Sequence, residues 1–175
     1  VNFTKADSSI YFTNGAEINT TIDNTTGDDN NGTLIIGAGD STFGGAIGAT
    51  HSLKAINLQG SDAVIFGAAV KATTMSIDAN SVSFNGDATA DITVSSATEI
   101  TLAANKNITG SVDVSAADLD VTLNMSGGDS TITGEVGKTH AVTKINAAAA
   151  NSTSTFEEVV NAANITLGAG TAVFN

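Results

Sequence analysis

The chain has no cysteine, no proline, no tryptophan and no arginine. Without cysteine, disulfides cannot supply its stability, and thiolate metal centres and cysteine nucleophiles are excluded with them. Six lysines stand against 18 acidic residues, for a net charge of −12. Such a chain cannot assemble the clustered cations that phosphate backbones and anionic bilayers require, so nucleic acid is not an expected partner. No apolar run approaches the roughly 18 residues of a spanning helix, and no membrane insertion by this segment is expected. The opening "VNFTKADSS" has neither a Met nor the pattern of a signal peptide, which points to a processed product or an excised fragment. Aromatic residues make up only 5%, so the 41% hydrophobic content is carried mainly by Val, Ile, Leu and Ala. The core is one of small and branched side chains.

What is present repeats itself. "DSTFGGAIGATHSLKAIN" at Asp40 returns as "DSTITGEVGKTHAVTKIN" at Asp129, with Phe43/Ile132, Ile47/Val136 and Leu53/Val142 apolar in both. With one inserted residue, the segment from Phe66 to Asn85 lies over that from Phe156 to Asn175. The 175 residues read as a single all-β domain holding internal repeats at about 4–85 and 86–175, with no linker between them. Within each repeat, stretches such as "SVSFNGD", "ADITVSS" and "GSVDVSAADLDVTLNMS" alternate polar and apolar residues with period two. That period puts one set of side chains on a buried face. Turn signals recur every 8 to 12 residues or so.

Short strands at that spacing fit a sandwich or a solenoid, and the duplication selects the solenoid, whose units contact only their neighbours. The expected fold is a right-handed parallel β-helix (solenoid) with coils of about 20–30 residues; an antiparallel β-sandwich is the alternative. "STSTFEEVVNAAN" carries helix-capping patterns, but its repeat counterpart reads as strand and turn, and strand is expected there too. Val82, Phe84, Ile100, Leu102, Val121, Leu123, Ile165, Leu167 and Phe174 are the expected core. Gly45/Gly134 and Gly48/Gly137 are expected where the chain turns or a side chain would strike the next coil.

The phrases "GTLIIGAGDSTFGGAIGATHSLKAINLQG" and "VKATTMSIDANSVSFNGDATADI" resemble the passenger regions of large bacterial autotransporters, most closely in style the rickettsial outer-membrane-protein B-type antigens. Shared with them are the F-x-G-x-I/V-G, L-x-x-I-N and V-x-F-N-G pieces and the wealth of Gly, Ala, Thr and Asn. The resemblance implies an exported, surface-exposed, extracellular solenoid. It carries over no catalytic or receptor-binding residue.

Residues that could bear chemistry are few. His51 and His140 hold the same repeat position, each after Thr. At ~4.8 Å per coil they would lie roughly 14–20 Å apart, too far to share an ion, so T-H is read as closing the same turn twice. Asp28, Asp29 and Asn31 in "TTGDDNNG", and secondarily Asp118 and Asp120 in "DLDV", are the candidates for Ca²⁺, the one cofactor the pattern accommodates. No calcium-loop motif surrounds them, and solvated turns are the simpler reading. Enzymes on β-helices use basic residues and aromatic sugar platforms, which are missing here, and neither His has a serine-triad context. No catalytic residue is assigned.

Two functions follow. One is a structural and adhesive surface segment without catalytic activity, its partners adjoining passenger coils and a host-cell surface. The other is a head-to-tail subunit of a filament, sheath or surface layer, its partners other copies of itself. In the second, Val1, Asn2 and Phe3 of one copy would continue the stack at Val173, Phe174 and Asn175 of another, with Phe3 the anchor.

Overall fold

A solenoid coil closes when short strands, each with alternate residues turned inward, stack in parallel on the coil before them. The computed structural model, which describes residues 1–125 and 127–175, shows this arrangement throughout. Every strand pairing is parallel, and no helix occurs among the described residues. The chain winds through about nine turns with three faces per turn.

Each face is held by an inward column of register partners. Face one stacks Ile10, Leu34, Ile56, Met75, Ile92, Val112, Val136 and Val160. On face two the column runs Ala16, Ser41, Val64, Val82, Ile100, Leu123, Ile145 and Ile165. Face three carries Ile22, Ile47, Val70, Ala88, Ile108, Ile132, Phe156 and Phe174. Coil length along these columns varies from 17 residues (Met75 to Ile92) to 25 (Ile22 to Ile47). The long strands Thr33–Phe43 and Leu53–Phe66 bend between faces one and two at register shifts.

Aromatic side chains concentrate in one stack. Phe43 and Phe66 (ring centroids 5.8 Å apart) and Phe66 and Phe84 (5.4 Å) stack on face two, and Phe12 meets Phe43 edge-on at 5.7 Å. Each such pair contributes about 0.5–1.5 kcal/mol beyond the area it buries. Of the expected core, Val82, Phe84, Ile100, Leu102, Val121 and Leu123 are buried. Ile165, Leu167 and Phe174 are not, at 42%, 55% and 47% exposure. They correct the expectation: they continue the inward columns, but in the last rung described.

The strand reading of "STSTFEEVVNAAN" holds, with Thr153–Phe156 and Ala162–Leu167 as strands and a bridge at Val160 between them. The duplicated motif also keeps its local path. Gly48 N–H donates to Ile22 O and Gly137 N–H to Val112 O, both at 2.8 Å. The motif does not keep its face, however. Phe43 is on face two and Ile132 on face three; Ile47 is on face three and Val136 on face one. The 89 residues from Phe43 to Ile132 make four coils and one further face, so the second copy is the first turned by one side of the triangle.

Both glycine pairs answer a steric demand. Gly48 (φ +66°) and Gly137 (φ +70°) are left-handed, and a Cβ on either would come within 2.3 Å of a carbonyl oxygen in the next coil. A Cβ on Gly45 would lie 2.3 Å from the Thr20 backbone, and on Gly134 2.6 Å from that of Gly110. Gly48→Val and Gly137→Val should each cost at least about 2 kcal/mol in urea unfolding. Gly60→Val is equally left-handed (φ +68°) but faces open space, and should cost less. Equal losses at all three positions would remove the collision and leave only backbone strain.

Candidate functional site

Corners are the weak points of a solenoid, because backbone N–H groups there leave the ladder and need other acceptors. Aspartate and asparagine side chains supply them here. Asp23, Asp29, Asp40, Asp87, Asp91, Asp113 and Asp129 each accept a backbone N–H from the coil that follows, at 2.7–3.1 Å. Asn105 and Asn107 do the same at 3.3 and 2.9 Å. All nine bonds span 20 to 27 residues and all run forward along the chain. Seven of the 18 acidic residues are thereby structural, Asp29 of the "TTGDDNNG" turn among them.

The two Thr-His motifs are the most elaborate of these corners. Asp23 accepts from Thr50 N–H (3.1 Å), from the Thr50 hydroxyl and from its own neighbour Asn24 N–H (2.9 Å). Asp113 repeats the set with Thr139 N–H (2.8 Å), the Thr139 hydroxyl and Val114 N–H (2.9 Å). Burial pushes both carboxyls upward, but the Thr hydroxyl and the surrounding backbone N–H groups outweigh it and hold both below the ordinary carboxylate value. His51 Nδ1 lies 3.3 Å from Asn24 O, and His140 Nδ1 3.1 Å from Val114 O. A carbonyl oxygen only accepts, so Nδ1 carries the hydrogen in both rings. Thr-His does close the same turn twice. An Ile-Asp or Val-Asp pair lying 26 or 27 residues before Thr-His in both copies was the sequence signal for this device.

Among the calcium candidates, Asp29 Oδ1 is engaged by Ser52 N–H (2.7 Å) and the Ser52 hydroxyl (3.2 Å). Asn31 Nδ2 donates to the Thr26 hydroxyl and to Asp28 O. Asn24, fully buried, donates to Asp28 O and Ser52 O and accepts from Thr26. The loop is thus tied down by its own side chains, and no three His, Asp or Glu side chains converge on a metal position among the described residues. Asp118 and Asp120 are exposed at the rim of a cleft of about 600 Å³ beside His140.

The assembly candidates lie at the two ends of the stack. Asn2 and Phe3 pair with Asp23 and Asn24 on face three, where Phe174 is also found. Phe174 stacks on Phe156 at 5.1 Å with one ring face open. Phe3 departs from the anchor role expected of it: it is 2% exposed, packed against Gly32 of the following coil. Val1 is half exposed.

Over 151 residues, 82% of its length, the chain is 32% identical to outer membrane protein A of Rickettsia rickettsii. The matched stretch is 6% of that protein, so the chain spans only a small part of its relative's length. The relative bears the name of an outer membrane protein and not of an enzyme. The resemblance to rickettsial surface antigens of the autotransporter-passenger type therefore stands, with an A-type protein where the style pointed to the B-type. No family model matches the chain, and no solved structure does.

The carboxylates of Asp23 and Asp113 make stability depend on pH. Their folded values lie below the unfolded one near 4, so their contribution is complete above pH ~4 and drains away as pH falls through the folded values. Thermal melts should be flat from pH 7 to 5 and fall below 4. Asp113→Ala should cost about 1–3 kcal/mol at pH 7 and flatten the acid limb; a melt unchanged from the parent at both pH values would contradict the capping role.

Proposed function

We propose that this chain, related to a segment of rickettsial outer membrane protein A, is a rigid, non-catalytic β-solenoid segment of a cell-surface protein, exposed on the extracellular side. Its work is to hold distance and to present a long lateral surface to other molecules, a host-cell surface among them. The observation that supports this reading is the use to which polar groups are put. Aspartates, histidines and threonines tie one coil to the next at a series of corners, and among the described residues they do not converge on a reacting centre. A structure built this way resists extension along its length, because ladder and column join each coil to the next and side chains add corner bonds at many of the joints.

A second reading, assembly by stacking, has its own observation. The inward columns of faces two and three end in the exposed Ile165 and Phe174, and Val160 on face one is only partly covered. Open rungs of this kind accept a further coil, whether of the same protein or of another copy.

Cells that produce the protein distinguish the first reading. An antibody raised against the 175 residues should label intact cells, and protease added outside should remove the label without lysis. Protection of the epitope until the cells are broken would contradict a surface location. For stacking, the purified chain at high salt, where its −12 charge is screened, should form polymers that Leu167→Glu abolishes. A chain that stays monomeric under those conditions leaves the first reading alone.

A further inference from the structure

The two Thr-His corners share a skeleton but differ in what fills them. At the first corner Asn30 Oδ1 accepts from the Ser52 hydroxyl (3.2 Å) and from the Thr73 hydroxyl, while Asp29 holds Ser52 N–H. The loop 25–32 is thereby laid over the corner and closes it. At the second corner the residues standing in for Asn30, Ser52 and Thr73 are Leu119, Ala141 and Ala163. All three polar partners have been replaced by apolar side chains together, and the place they close at the first corner is open. The cleft of about 600 Å³ lies there.

Its lining is mixed: Ala117, Leu119, Ala141 and Ala163 give it apolar surface, Thr139, His140, Thr143 and Asn161 add polar groups, and Asp118 and Asp120 complete it. Neither carboxylate has a side-chain hydrogen bond or ion pair among the described residues, where the ion pairs are Lys54–Asp7 and Lys138–Glu135. Apolar surface from Leu119 and three alanines beside two unpaired carboxylates fits an aliphatic stem that ends in a cation. Small metal ions have no use for such a surface, and an anion would be repelled.

We infer that this cleft receives a lysine or arginine side chain of a partner protein, its stem against Leu119, Ala141 and Ala163 and its charged head between Asp118 and Asp120. The inference goes beyond the structural role proposed above, and its test does not depend on where the protein resides. The first corner, closed by its own Asn30 and Ser52, serves as the internal control.

The intact chain would be titrated with an N-acetylated, C-amidated Gly-Lys-Gly peptide and followed by ¹H–¹⁵N NMR. Shifts should gather at 117–120 and 139–143 and be absent at 23–32 and 50–52. The same peptide with its lysine acetylated should produce none. Asp118→Asn with Asp120→Asn should weaken binding by about tenfold or more. Leu119→Asn with Ala141→Ser and Ala163→Thr, which gives the second corner the residues of the first, should also abolish the shifts while the rest of the spectrum is unchanged. Equal shifts at both corners, or shifts that survive the Asp118→Asn/Asp120→Asn change, would reduce the effect to general attraction to an acidic chain and overturn the inference. Calcium chloride that moves 117–120 where the peptide does not would also overturn it, by making the carboxylates an ion site.

Discussion

Everything in this molecule depends on one requirement: each backbone N–H that leaves the parallel ladder at a corner must find an acceptor in an adjacent coil. Along the faces the ladder satisfies the backbone and the inward columns exclude water, as in any stacked sheet. At the corners neither holds. The chain answers with Asp and Asn side chains that reach forward by one coil, and with hydroxyls such as Ser41, Ser96, Thr133 and Thr143 that accept N–H groups from the coil before. The two sets point in opposite directions along the axis, so a coil that carries both is fastened on both sides. A solenoid with so few aromatic residues needs this polar fastening, because its Val, Ile and Ala columns bury little area per rung.

The same requirement explains why a sequence motif can return on a different face. Phe43 to His51 and Ile132 to His140 follow one local path, set by a collision-limited glycine, a left-handed glycine and an Asp one coil earlier. None of these elements refers to the axis of the whole stack. The motif therefore works on any side of the triangle, provided the preceding coil offers Ile-Asp or Val-Asp in register. Coil lengths between 17 and 25 residues then decide where the copy falls. Divergence at the second copy, where Leu119, Ala141 and Ala163 replace polar residues, opens a surface that the first copy keeps shut.

Much of the fold was legible in the alternation of residues such as Val121, Leu123 and Ile145, because a period of two states directly which side chains turn inward. The paired glycines and the Thr-His turns were legible too, since duplication showed them as local devices. The rotation between repeats was hidden, because aligned residues share a path and not a face, and the sequence does not display the number of coils between them. The capping role of Asp23, Asp87 and Asp113 was hidden for another reason: their partners lie 20 to 27 residues away, at a distance no local pattern marks. Ile165, Leu167 and Phe174 carried the signature of a core and do continue the inward columns, though their place in the last rung leaves them exposed.

The most direct test is a distance measurement with paired spin labels, which the absence of native cysteine makes simple. Thr42, Ile65, Ser83, Thr101 and Asn124 form one outward column, so Thr42 and Asn124 should be four rungs apart, about 19 Å along the axis. Thr131 is the residue homologous to Thr42, but it lies on face three, paired with Thr155. Labels at 42 and 124 should give the shorter distance, and labels at 42 and 131 the longer. A shorter distance between the two homologous positions would place both repeats on the same face and contradict the winding described above.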